Sequence, residues 1–309
     1  MKALFVGLGS IGQRHLKNLS ALCLQKGVAL QVAALRSSSK PLPPEAEALC
    51  HRQMAALPAG EAFDVAFVTN PTNLHAEALR ELAGKVGTLF IEKPIFERTG
   101  YSLEALGLSP RQKAYVAAPM RWCGVYLALK ARLAGLPVYS VRSICSSYLP
   151  DWRKGADYRK VYSAQRAMGG GVTLDLIHEW DYLTDLFGLP LQSFNLKGKF
   201  SHLEIDSDDL SVYIAAYPKF LCELHLDYFG RQYRRGVELF TEAGTLSADF
   251  GTGLLTLPGG EVLDFAEPAN RRYEREMEYF LNYAQNGAGE SVNSPARALQ
   301  VLKLTLGEV

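Results

Sequence analysis

The chain has 309 residues, 48% of them hydrophobic, with 33 Lys and Arg against 32 Asp and Glu. That length favours two cores over one, and the balanced charge argues against nucleic acid or an anionic membrane, leaving a small molecule as the expected partner. Cys23, Cys50, Cys123, Cys145 and Cys222 are scattered without a C-x-x-C pair, and no apolar run approaches about eighteen residues; reduced thiols in a cytoplasmic protein without a membrane segment are expected.

Leu4, Phe5 and Val6 form an uninterrupted apolar run that suits a strand covered on both faces of a parallel sheet. Gly7, Gly9 and Gly12, with Ser10 and Ile11 between, follow in G-x-G-x-x-G spacing: one glycine for a tight turn, one for close approach of a pyrophosphate, one for helix–strand packing. Leu16, Leu19 and Leu22 continue at helical spacing, so the positive end of that helix would face the anion. Glycines after a strand can serve only a turn, but strand before and amphipathic helix after favour a dinucleotide site. Residues 29–35 read as a second strand, whose end selects between nicotinamide cofactors. There the chain carries Arg36, Ser37, Ser38, Ser39 and Lys40 rather than a carboxylate. Guanidinium and hydroxyls suit a ribose 2′-phosphate, so NADP is expected in preference to NAD; the alternative is a solvated loop.

Pro41, Pro43 and Pro44 precede an expected helix over residues 45–57, and residues 63–69 read as another strand. Thr69, Asn70 and Pro71 begin a turn at its end, followed by a helix over 74–82 with His75 in its first turn. This loop would border the ligand crevice of an open parallel sheet, with His75 either touching ligand or serving structure. The strand over 88–91 ends in Glu92, Lys93 and Pro94, which would place the Lys93 ammonium within reach of a substrate oxygen near the nicotinamide, with Glu92 beside the cofactor.

The order glycine loop, Thr69-Asn70-Pro71 with His75, then Glu92-Lys93-Pro94 resembles the Gfo/Idh/MocA oxidoreductases, and the resemblance continues to the C-terminus. It implies an α/β plus α+β chain: a Rossmann NAD(P)-binding domain over residues 1–119, and over 120–309 a substrate-binding and oligomerisation domain with a mostly antiparallel, open-faced sheet packed on helices. A strand over 114–118 leads to the crossover Pro119-Met120-Arg121-Trp122. The resemblance implies a place for Arg121 near the active site; an arginine at the surface or at the domain interface is the alternative.

Beyond an expected helix over 127–133 and strand over 138–148, residues 149–160 form a polar–aromatic loop with Trp152, Arg153, Lys154, Tyr158, Arg159 and Lys160, a candidate cover for an anionic substrate or a solvated excursion. Gly169, Gly170 and Gly171 precede residues 172–183, read as one helix with Leu174, Ile177, Trp180 and Leu183 along its stripe and Asp175 and His178 on one face. Histidine can take a hydroxyl proton as the adjacent carbon loses hydride, and a carboxylate can hold its tautomer or bind a second hydroxyl. The resemblance implies Lys93, Asp175 and His178 as the catalytic group, although many members place the aspartate four residues before the histidine where this chain has three. No metal is expected, since Tyr182 stands where H-E-x-x-H needs its second histidine.

From residue 194 onward strands follow at 194–201, 209–217, 220–228, 234–241 and 245–250, with shorter runs near Leu254 and Val262, and closing helices at 270–284 and 295–306. The resemblance implies that the free sheet face makes a homodimer or homotetramer. The expected activity is hydride transfer between nicotinamide and a hydroxyl or ketone carbon of a sugar, cyclic polyol or nucleotide-linked sugar. A cofactor-sensing regulator of the same fold, or a reductase of an imine or tetrapyrrole, are the alternatives.

Overall fold

The structure is a computed structural model that describes every residue except Ser39, Pro110 and Val309, so Ser39 of the expected phosphate loop lies outside the described residues. The chain forms two compact units, Met1–Ala117 with Tyr273–Gln300, and Ala118–Arg272 with Val301–Val309. The first unit thus takes back a segment near the C-terminus, which one cut after residue 119 leaves out.

In unit 1, β1 (Lys2–Val6), β2 (Gln31–Leu35), β3 (Arg52–Met54), β4 (Phe63–Val68), β5 (Val86–Ile91) and β6 (Lys113–Val116) make a parallel sheet in the order β3-β2-β1-β4-β5-β6. The order reverses between β1 and β4, and a crevice opens where such strands end. In register, Val6 pairs with Leu35 on one side and Val68 on the other, so Gly7, Arg36 and Thr69 leave the sheet side by side. Helices α1 (Ser10–Gln25), α2 (Pro44–Leu49) and α3 (His75–Leu82) complete the crossovers. The expected helix over 45–57 ends early: Cys50 turns extended and Arg52–Met54 joins β2 as an edge strand. Only one of those three residues is not fully exposed, so no apolar alternation marks the strand. The core is aromatic, with Phe5 stacked on Phe67 at 4.5 Å and Phe67 on Phe90 at 5.2 Å. From α7 (Arg271–Asn286), Phe280 meets both Phe67 and Phe90 edge-on, at 5.3 and 5.2 Å. Burying one such ring stabilises by about 1.5–3 kcal/mol.

In unit 2, β7 (Val138–Tyr148), β8 (Gln192–Gly198), β9 (Leu210–Ala216), β10 (Leu221–Asp227), β11 (Phe229–Thr241), β12 (Gly244–Asp249), β13 (Leu254–Thr256) and β14 (Val262–Asp264) form one sheet in the order β14-β13-β12-β11-β7-β10-β9-β8. Every pairing is antiparallel except β7 with β10. α4 (Gly124–Leu133), α5 (Val172–Asp175), α6 (His178–Phe187) and the end of α8 (Pro295–Leu306) belong with this sheet. Trp180 of α6 stands edge-on to Tyr213 of β9 at 5.3 Å, and Tyr213 donates its hydroxyl to the Thr305 carbonyl at 2.7 Å. On β8, β9 and β10, Phe194, Leu196, Ile214 and Leu221 remain exposed. Among the described residues no helix is long and apolar enough to cross a membrane.

Candidate active site

The three glycines differ in what surrounds them. Gly7 has φ +85°, and a Cβ there would stand 3.0 Å from the Asn70 backbone; Gly12 would drive a Cβ to 2.7 Å from Thr69 Oγ1 and 2.8 Å from the Gly7 carbonyl. Gly9 faces open space. Turn, close packing and an unobstructed backbone therefore fall on the positions that a dinucleotide fold assigns to them. Ser10 and Ile11 open α1, whose first turn holds neither an acidic residue nor a side-chain cap, so its N–H groups and positive dipole end suit a pyrophosphate. Thr69 donates its hydroxyl to the Gly7 carbonyl at 2.7 Å, tying the ends of β1 and β4.

Arg36 leaves β2 half-buried and donates to Gln53 Oε1 and, at 2.6 Å, to the Lys40 carbonyl. These bonds engage two of five N–H donors and hold the guanidinium plane beside exposed Ser37 and Ser38. His75 is buried, with its ring nitrogens 3.1 Å from the carbonyls of Ile95 and Asn70. Burial pushes its imidazole below the ordinary histidine range. It staples the Asn70-Pro71 turn to the segment after Pro94, which is a structural duty. Glu92 is also enclosed: Oε1 lies 2.5 Å from His15 Nε2, and Oε2 accepts the Lys93 N–H at 3.1 Å. Lys93 itself is half-buried at the carboxyl end of β5.

In unit 2 the expected single helix over 172–183 is two. α5 ends at Asp175, Leu176 adopts φ −98° and ψ 28°, and α6 begins at His178. Leu174, Leu176 and Ile177 are all buried, a demand that one helical stripe cannot meet and a break can. Asp175 and His178 therefore flank a junction instead of sharing the face of one continuous helix. Gly171, at φ +127°, leaves room for Asp208, whose Oδ2 caps α5 by accepting Thr173 N–H at 2.9 Å and Thr173 Oγ1 at 2.5 Å.

Asp175 is buried, accepting the Tyr162 hydroxyl on Oδ1 and the Tyr228 hydroxyl on Oδ2, the latter at 2.5 Å. Burial, then the adjacent carboxylate, pushes both phenols well above the ordinary tyrosine range, so both remain donors. Neither tyrosine is marked by local sequence pattern. Trp152 stands edge-on to Tyr228 at 5.2 Å and donates Nε1–H to Ser147 at 3.1 Å, which anchors the 149–160 segment over the Asp175 cluster. Arg153 lies 6.0 Å from the Tyr162 ring centre. The Tyr158 hydroxyl instead accepts the Glu204 N–H at 3.2 Å, and Arg159 pairs with Asp157 and Glu204 at 2.8 and 3.0 Å. His178 is half-buried at the start of α6, while its neighbour Glu179 is fully buried and bonded through both oxygens to Arg235 at 2.6 and 3.2 Å.

Arg121 lies in a buried ion-pair cluster. Its side chain is 4% exposed, paired with Asp181 at 2.6 Å and Asp185 at 3.0 Å, so within its own unit it secures α6. Among the described residues no His, Cys, Asp and Glu side chains group as a metal site would require.

Residues 1–114 match the family model described as oxidoreductase family, NAD-binding Rossmann fold, of Gfo/Idh/MocA. The match covers the nucleotide-binding part of the chain. No curated protein matches it by sequence. Among solved structures, similar folds cover nearly the whole chain. A levoglucosan dehydrogenase in complex with NADH and levoglucosan superposes with TM-score 0.83 at 15% identity, covering 99% of this chain and 95% of that one. UDP-N-acetylglucosamine 3-dehydrogenase GnnA from Acidithiobacillus ferrooxidans gives 0.77 at 18%, covering 100% and 96%. Myo-inositol 2-dehydrogenase from Lactobacillus plantarum gives 0.77 at 18%, covering 99% and 95%. At these identities the likeness is one of fold.

Proposed function

We propose that this protein is a Gfo/Idh/MocA-type, NADP-preferring oxidoreductase acting on a hydroxyl or ketone carbon of a sugar, cyclic polyol or nucleotide-linked sugar. The observation that carries the reading is the strand-order reversal between β1 and β4: Gly9 follows β1 with open space about it, and Lys93 follows the second strand beyond the reversal. The superposing dehydrogenases, whose names give levoglucosan, UDP-N-acetylglucosamine and myo-inositol as substrates, support the substrate class.

The backbone of Gly7, Gly9, Ser10, Ile11 and Gly12 would hold the pyrophosphate; Arg36, Ser37 and Ser38 the ribose 2′-phosphate; and the Thr69-Asn70-Pro71 turn would border the cofactor. When bound, the nicotinamide supplies or receives the hydride. In this reading the Lys93 ammonium hydrogen-bonds and polarises the reacting oxygen, and an imidazole nitrogen of His178 takes or returns its proton. Asp175, fixed by two phenols, acts as a stationary negative charge positioning histidine or substrate. Trp152 and Arg153, with Tyr158 farther along the segment, would meet the remainder of the substrate. The exposed apolar residues of β8, β9 and β10 support assembly through the free sheet face, in a cytoplasmic homo-oligomer.

The test is nicotinamide absorbance with levoglucosan, myo-inositol and UDP-N-acetylglucosamine and their oxidised forms. Turnover of at least one supports the enzyme, whereas tight cofactor binding without turnover of any overturns it in favour of a sensor. Cofactor choice is tested separately. Arg36→Asp should weaken NADPH by roughly tenfold or more, since a charge-assisted bond worth about 1.5–3 kcal/mol is replaced by repulsion, while NADH changes little. Equal loss for both cofactors in a fluorescence titration would refute the assignment.

A further inference from the structure

His15 lies six residues into α1, completely buried, and was not among the residues that the glycine pattern marks. Its ring packs on Phe90 at 4.6 Å and faces Phe67 and Tyr273 at 6.3 and 6.1 Å, an aromatic box that a phenylalanine would fill without loss of contact. Nδ1 meets no hydrogen-bond partner there. Burying an unsatisfied polar atom costs about 1–3 kcal/mol, so an imidazole in this box calls for a purpose beyond packing.

That purpose is legible at the other nitrogen. Nε2 lies 2.5 Å from Glu92 Oε1, and Glu92 Oε2 accepts the backbone N–H of Lys93 at 3.1 Å. Burial pushes the Glu92 carboxyl up, but the hydrogen bond and charge of His15, with Lys93 beside it, outweigh this and leave it below the ordinary carboxylate range. An ionised carboxylate only accepts, so His15 donates from Nε2.

We infer that His15 is a positioning residue for Lys93: it fixes the Glu92 carboxylate, which in turn fixes the lysine's backbone, tying the helix that opens at the glycine loop to the residue that ends β5. The inference rests on the reading of Lys93 as the polarising group. Cofactor-binding helix and lysine then move as one piece, and slack in the link would displace the ammonium from the reacting oxygen while leaving the glycine loop intact.

Two variants of the full chain separate donor from packing. His15→Gln retains an N–H donor at similar reach, and His15→Phe fills the box without one. Lysines are dimethylated with carbon-13 formaldehyde, and the Lys93 methyl signal is assigned by its loss in Lys93→Arg. In His15→Phe this signal should shift or broaden, and kcat on the sugar that turns over should fall by up to roughly 10²-fold with KM and NADPH affinity unchanged. His15→Gln should restore both. Glu92→Asp, which withdraws the carboxylate by one methylene, should displace the same signal and serves if His15→Phe does not fold. A wild-type Lys93 signal in folded His15→Phe or in Glu92→Asp, or His15→Gln as impaired as His15→Phe, overturns the link. Wild-type turnover by Lys93→Ala would instead overturn the role of Lys93, and the methyl signal would still decide whether His15 positions it.

Discussion

His178→Ala should lower turnover by roughly 10²- to 10⁴-fold, the usual contribution of a positioned acid/base, with little change in NADPH affinity. The imidazole is half-buried, and the residues that follow it are held by Arg235 at Glu179 and by Tyr213 at Trp180. The backbone at the start of α6 is held by its own bonds, Glu179 N–H to the Leu176 carbonyl at 3.3 Å and Asp181 N–H to the Ile177 carbonyl at 3.0 Å. Alanine is the best helix former and the imidazole is not fully buried, so the second unit should still fold. The glycine loop lies in the other unit, so the pyrophosphate contacts should survive. Stopped-flow measurement of one hydride transfer, beside a thermal melt, separates these expectations. Parental turnover by the variant would remove His178 from the mechanism.

Much of the fold is legible because its signals are local. The both-face apolar strands around Phe5, Phe67 and Phe90 need no partner to be recognised, and the glycine spacing specifies backbone geometry directly. What is not legible depends on distant residues. Arg52, Gln53 and Met54 become a strand only because β2 offers an edge. The helix through residue 176 breaks where Leu174, Leu176 and Ile177 are all buried, which a single helical stripe does not allow. His15 reaches Glu92 across 77 positions and Tyr228 reaches Asp175 across 53, distances that no periodicity encodes. α7 shows its amphipathic pattern in the sequence, but that Phe280 covers Phe67 and Phe90 in the first unit is a fact of tertiary packing.

Arg121 is the instructive case, since the resemblance implies a place near the active site and the structure shows it in a buried ion-pair cluster. Arg121→Ala should destabilise the second unit by about 3–5 kcal/mol, because truncation leaves buried carboxylates without their cation. Nε and Nη2 bond Asp181 at 2.9 and 2.6 Å, and Nη1 bonds Asp185 at 3.0 Å. Tyr126 and Lys130 also bond Asp185, the latter at 2.5 Å, but Lys130 is half-exposed and cannot replace a buried guanidinium at Asp181. Burial pushes the Asp185 carboxyl up; Arg121, Lys130 and Tyr126 outweigh it and leave it below the ordinary carboxylate range. A depressed folded-state pKa means that this stabilisation is full above the unfolded value of about 3.9 and drains away as pH falls through the folded one. At neutral pH the melting temperature of the variant should fall by roughly 6–20 °C, and the deficit relative to the parent should narrow on acidification below about pH 4. A substrate ligand would behave otherwise: KM would rise while the melt stayed in place, and that result would return Arg121 to the active site.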